Sequence, residues 1–169
     1  MASIVVGTLW GDEGKGKVLD VITKEADIIV RSQGGNNAGH TLLTDQGEFK
    51  LHLIPSGVLH SHITCLICRG VVIDPEALCK EIKELTDRGI SLEGRLQVST
   101  MAPVIFSFHR TLDALQEGTQ GIGTTKRGIG PCYADKVSRI AVRLGELIRP
   151  ELFEKNLKKL VEEKNKELV

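Results

Sequence analysis

The chain has 169 residues, with 22 lysines and arginines against 22 aspartates and glutamates, and so carries no formal net charge. That length makes one domain with room for a real core, and the charge balance points away from nucleic acid or a membrane surface as partner. Four cysteines, Cys65, Cys68, Cys79 and Cys132, are too few and too unevenly spaced for a secreted disulfide framework. No leader-like start and no apolar run of membrane-spanning length is present, so the expected location is cytoplasmic.

The apolar run Ile4-Val5-Val6 predicts a buried strand, and Val18-Leu19-Asp20-Val21-Ile22 the first turns of a helix. Between them lies Gly7-Thr8-Leu9-Trp10-Gly11-Asp12-Glu13-Gly14-Lys15-Gly16-Lys17. A glycine-rich turn between strand and helix is a phosphate cradle. Its backbone approaches a polyphosphate closely, successive N–H groups share one concavity, and the helix N-terminus adds about half a positive charge. Lys15 and Lys17 supply full charges. From Gly11 to Lys17 the spacing is that of a P-loop, except that Val18 stands where a Ser or Thr hydroxyl would hold magnesium. Asp12, inside the loop, is the substitute ligand that a hard divalent cation prefers.

A second strand is expected over Ala26-Asp27-Ile28-Ile29-Val30-Arg31, followed by the loop Ser32-Gln33-Gly34-Gly35-Asn36-Asn37-Ala38-Gly39-His40-Thr41. Strand, helix and strand in about 30 residues make a βαβ unit, hence a parallel sheet with a right-handed crossover. Ligands bind at the C-terminal ends of such strands, which places Asp12 and His40 at one crevice. Taken alone, the second loop reads as a turn with a solvent-exposed histidine.

Leu42-Leu43, the turn Asp45-Gln46-Gly47 and Phe49-Lys50-Leu51-His52-Leu53-Ile54 alternate as a hairpin, an excursion from the parallel core. A strand is predicted over residues 62–68. A helix is predicted over 75–88, with Asp74 as N-cap, Pro75 at its first position, and Leu78, Ile82 and Leu85 on its apolar face. Nothing in that helix looks catalytic. His60, His62, Cys65 and Cys68 are zinc-ligand types, but on a strand Cys65 and Cys68 point apart, so buried structural cysteines are expected. Leu96-Gln97-Val98-Ser99 predicts a short strand. Residues 103–116 predict a helix with Val104, Phe108, Leu112 and Leu115 as its stripe and His109 and Arg110 at the surface or boundary.

Residues 118–133 then gather five glycines, three threonines, Lys126 and Arg127, which suit a second anion-binding loop or a flexible linker. A helix over 135–143 would put Arg139 and Arg143 on one face. A last amphipathic helix, starting near Pro150, carries Phe153, Leu157, Leu160 and Val161.

Three stretches together resemble the signatures of the adenylosuccinate synthetase family. They are Trp10-Gly11-Asp12-Glu13-Gly14-Lys15-Gly16-Lys17, Gln33-Gly34-Gly35-Asn36-Asn37-Ala38-Gly39-His40-Thr41, and Gly123-Thr124-Thr125 through Gly128-Ile129-Gly130-Pro131. The resemblance implies GTP-dependent ligation of IMP and L-aspartate through 6-phosphoryl-IMP, in purine biosynthesis. It implies Asp12 as general base and His40 as acid. GTP contacts would come from Gly11, Asp12, Glu13, Gly14, Lys15, Gly16, Lys17, Gly39, His40 and Thr41. IMP contacts would come from Asp12, Glu13, Gly14, Lys15, Asn37, Ala38, Gly39, His40, Thr125 and Arg139, with Arg139 donated across a homodimer interface. It also places magnesium on Asp12 and the main-chain carbonyl of Gly39. Cys68-Arg69-Gly70 departs from the Gly-x-Gly common in the family at that turn.

The family runs to more than twice this length, and its later half supplies the aspartate-binding and guanine-reading segments. Residues 1–169 are therefore expected to be the N-terminal part of a GTP-dependent ligase, truncated at the C-terminus. The expected fold is α/β, a mostly parallel sheet flanked by helices, P-loop NTPase-like, with a hairpin excursion. A non-catalytic nucleotide-binding or dimerisation module is the alternative.

Overall fold

The computed structural model describes residues 2–8, 15–44, 47–121 and 123–167. In chain order the elements are α1 (Lys15–Thr23), β1 (Ile28–Arg31), β2 (His40–Thr44), β3 (Gly47–Leu51), β4 (Thr64–Ile67), α2 (Pro75–Asp87), β5 (Leu96–Val98), α3 (Ser107–Gln120), α4 (Ile129–Val137) and α5 (Pro150–Glu167). β1, β4 and β5 form a parallel sheet in that order, with Ile28 opposite Thr64 and Cys65 opposite Leu96. The pairing continues past the strand ends in parallel bridges from Gly34 to Val71 and from Ile73 to Val104. β2 and β3 form the expected hairpin, with His40 opposite Leu51.

β4 is the middle strand, and its alternate residues Cys65 and Ile67 are buried in one core with the hairpin residues Leu42, Phe49 and Leu51, with Val58 and with Leu78 and Leu85 of α2. Asp74 caps α2 through the Ala77 N–H at 3.2 Å, and Pro75 takes the first turn, where no N–H is needed. A smaller core of Val72, Ile105 and Cys132 joins α4 to the segment after β4. No helix among the described residues is long and apolar enough to cross a membrane.

Four expectations fail. Ile4, Val5 and Val6 are exposed and outside any strand, because an apolar run becomes a buried strand only when another strand pairs with it and something covers its side chains. α3 begins at Ser107 rather than 103, since Val104 pairs with Ile73 instead. It also buries His109 and Asp113 and leaves Leu115 exposed. The helix expected over 135–143 is α4, which ends at Val137; Arg139 has φ +62° in the left-handed region and shares no helical face with Arg143. On α5, Leu160 and Lys164 are buried while Val161 is exposed.

His109 accounts for the rotation of α3. Its Nδ1 accepts the Phe106 N–H at 2.9 Å, so Nε2 carries the proton and donates to Asp135 Oδ2 at 2.9 Å. Asp113 accepts the Gly128 N–H at 2.8 Å. Both polar groups turn inward because each finds a partner that water would otherwise supply.

Candidate functional site: a cation cluster at the ends of the parallel strands

The loop that follows β1 reaches β2 at His40, and the hairpin register sets His40 opposite Leu51 and beside His52. His40 is half-buried, and its pKa is lowered by burial first, then by the charges of Arg31, Lys15 and His52. Lys15 opens α1, which packs against β2, so the first helix and the hairpin meet here from distant parts of the chain. Arg31 is the last residue of β1, so this lies at that strand's C-terminal end.

Backbone groups of the loop are pinned from below. Arg31 donates through Nη2 to the Gly35 carbonyl at 2.6 Å, and through Nη1 to the carbonyls of His52 and Leu53. Burial lowers the Arg31 pKa, opposed by the charge of Glu81. His52 Nδ1 lies 2.8 Å from the Ala38 carbonyl, which can only accept, so that nitrogen carries the proton. Asn37 Oδ1 accepts the Gly35 N–H at 3.3 Å. Asn36 is buried and donates to Asp74 at 3.2 Å, and Arg110 reaches the same Asp74 oxygen at 2.7 Å.

Tyr133 ties α4 to two strand ends: its hydroxyl accepts the Gly34 N–H at 2.8 Å and donates to the Gly70 carbonyl at 2.7 Å. Gly70 is required by space. A Cβ there would sit 1.9 Å from the Ser32 carbonyl oxygen.

The glycine-rich segment after α3 binds anions, but they are the protein's own. Glu117 accepts from the Gly123 and Thr124 N–H groups at about 3.0 Å, and Asp113 takes Gly128. The Thr124 amide foremost, with Gly123 and Lys126, outweighs desolvation and lowers the Glu117 pKa. Arg127 then donates to the Asn36 carbonyl, which docks this segment on the loop that leads to His40.

Of the site residues expected from sequence, Gly11, Asp12, Glu13 and Gly14 lie outside the described residues, as does Trp10. Lys15, Gly16 and Lys17 open α1; Asn37, Ala38 and Gly39 lead into His40 and Thr41. Thr125 is exposed on the docked segment. Arg139 lines a cavity of about 890 Å³ at the C-terminal ends of β4 and β5, together with Cys68, Arg69, Ser99 and Arg143, whose described lining does not include Lys15, Asn37 or His40.

Cys65 is buried, with its Sγ 3.8 Å from the Pro55 carbonyl and its thiol pKa pushed up by burial to about 11. Cys68 is half-buried at the end of β4. Sequence reading missed Arg31, His52, Asp74, Glu81 and Tyr133. Glu81 did leave a signal, an acid among Leu78, Ile82 and Leu85 on the apolar face of α2.

Residues 4–169 match the family model described as adenylosuccinate synthetase. The chain belongs to the adenylosuccinate synthetase family. It is 53% identical over 169 residues to the adenylosuccinate synthetase of Desulfitobacterium hafniense (strain DSM 10664 / DCB-2), covering 98% of this chain and 39% of that protein. The fully ligated adenylosuccinate synthetase from Plasmodium falciparum superposes with a TM-score of 0.83 at 41% identity, over 94% of this chain and 38% of that one. A cyanophage S-2L succinoaminodeoxyadenylate synthetase, bound to dGMP and to dATP as an energy donor, matches with a TM-score of 0.64 at 26% identity, over 83% of this chain and 39% of that one. This chain thus spans about two fifths of the length of the relatives it matches.

Proposed function

We propose that this chain carries the phosphate-handling part of a cytoplasmic, GTP-dependent ligase that joins IMP to L-aspartate. The observation that carries the reading is the backbone leading into His40, held by Arg31 at the Gly35 carbonyl and by His52 at the Ala38 carbonyl, with Lys15 opening the helix that packs against β2. Phosphoryl transfer asks chiefly for positioned groups and charge neutralisation, and this arrangement supports both.

In this reading Asp12 takes the N1 proton of IMP, and the freed 6-oxygen forms a bond to the γ-phosphorus as the bond to the β-bridging oxygen breaks and GDP leaves. His40 donates a hydrogen bond to the transferring phosphoryl, while Lys15 and the backbone of residues 15–17 and 39–41 hold the polyphosphate. The aspartate amine then attacks carbon 6 of 6-phosphoryl-IMP and phosphate departs. Asn37 and Thr125 orient IMP; the docking of Thr125's segment onto Asn36 supports that pairing. Arg139 lines a cavity whose described lining lacks His40, which supports its donation to the site of a second copy in a homodimer.

Magnesium fits the donors offered by sequence, a carboxylate at Asp12 and the carbonyl of exposed Gly39, both hard oxygens. Bound there it would neutralise phosphate charge.

The test is calorimetric titration of GTP with magnesium into this chain, and turnover with IMP, aspartate and GTP in a chain extended to the relatives' length. Binding that depends on Asp12, and product formed only by the extended chain, are expected. An extended chain that binds GTP but makes no adenylosuccinate would favour the module reading.

A further inference from the structure

A buried carboxylate and a half-buried guanidinium grip one turn. Glu81, on α2 and 4% exposed, takes three consecutive backbone N–H groups: His52 at 2.8 Å and Ile54 at 3.1 Å on Oε1, and Leu53 at 2.9 Å on Oε2. Arg31, at the end of β1, takes the carbonyls of His52 and Leu53. Successive amides make an anion-binding concavity, and here an internal carboxylate fills it.

The grip does not stop at the turn. Arg31 also holds the Gly35 carbonyl at 2.6 Å, and the His52 ring holds the Ala38 carbonyl at 2.8 Å. The His52 ring also lies alongside Gly39, where a Cβ would meet ring atoms at 3.4 and 3.6 Å. The backbone entering His40 is therefore placed by a relay that begins on α2.

Burying the Glu81 carboxylate is costly even beside the half-buried Arg31, and an apolar residue at position 81 would extend the stripe of Leu78, Ile82 and Leu85 without that cost. A leucine could not hold three amides. We propose that Glu81 and Arg31 are positioning residues for the triphosphate site, locking the turn at 52–54 and through it the backbone of residues 35–40. This rests on the reading of that loop as a phosphate site, and it assigns a function to a helix with no residue in the chemistry.

The experiment compares Glu81→Gln and Arg31→Lys with Leu85→Ala, which removes a buried side chain 1% exposed on the same helix. Each chain is followed by backbone amide resonances of residues 35–40, by thermal melting, and by binding of inorganic tripolyphosphate with magnesium. Glu81→Gln and Arg31→Lys should displace those resonances and weaken binding at least about tenfold, as expected when placed groups move by an ångström or less. Leu85→Ala should lower the melting temperature while leaving the resonances and affinity in place. Arg31→Lys keeps the charge and loses the fork, so it carries the comparison should Glu81→Gln fail to fold. Unmoved resonances in both variants, or equal loss of affinity in Leu85→Ala, would overturn the proposal. A native chain that binds no tripolyphosphate would sink the phosphate-site reading instead, and the positioning would then stand or fall on the resonances alone.

Discussion

Lys164 on α5 and Asp135 on α4 form a buried ion pair: Nζ lies 2.5 Å from Oδ1, and the two side chains are 9% and 1% exposed. The other oxygen of Asp135 receives His109 of α3, so one carboxylate joins three helices. Removing one partner of such a pair strands the other charge in the interior. Lys164→Met is expected to cost on the order of 3 kcal/mol in urea unfolding, within the range for broken buried pairs. A loss under about 1 kcal/mol would mean that the pair contributes nothing beyond packing.

Acid stability follows from the same carboxylate. Burial pushes the Asp135 pKa up, but the hydrogen bonds from His109 and Lys164 outweigh it and leave it below 3.8. The unfolded chain therefore takes up the proton first as pH falls. The stability contributed by the pair is complete above about pH 4 and is lost as pH drops through the folded pKa. Urea midpoints of the native chain should fall between pH 5 and pH 3 more steeply than those of Asp135→Asn; parallel profiles would refute the assignment.

Two glycines should respond in opposite directions to alanine. Gly70→Ala drives a Cβ to 1.9 Å from the Ser32 carbonyl oxygen, whereas Gly118, in α3, has nothing within 4 Å. Differential scanning calorimetry should show Gly70→Ala destabilised by about 1–3 kcal/mol through overpacking. Gly118→Ala should gain roughly 0.4–1 kcal/mol by restricting the unfolded chain.

Thiol reactivity should divide the cysteines. Cys65 and Cys132 are buried with pKa values pushed up by burial to about 11 and about 12, while Cys79 is exposed. The thiolate is the reactive form, so at neutral pH a maleimide should label Cys79 rapidly and the two buried thiols only on unfolding. Prompt labelling of Cys132 in the folded chain would contradict the packing of α4.

For chemistry, the decisive substitutions belong in a chain extended to the relatives' length. His40→Asn should spare GTP and IMP binding while lowering turnover at least roughly 10²-fold, the usual cost of losing a general acid. Asp12→Ala should abolish turnover and weaken magnesium-dependent GTP binding. Near-normal rates in either variant would remove that residue from its proposed role.

Sequence alone determined what depends on neighbours along the chain. The cap and first turn of α2 rest on Asp74 and Pro75, the hairpin on alternation around residues 45–47, and the family on three contiguous signatures. All of these are short-range patterns of propensity and spacing. Periodicity held two signals that went unread, since Glu81 and Lys164 both sit on apolar stripes where a charge is out of place. Only the tertiary structure supplied their partners, three amides of a turn for one and Asp135 for the other. The same holds for His109, expected at the surface or boundary and found buried, and for Arg139, expected on a helix and found in a left-handed turn beyond one. A buried polar group is stable only opposite its complement, and that complement is set by which elements pack together, a relation that no local window of sequence contains.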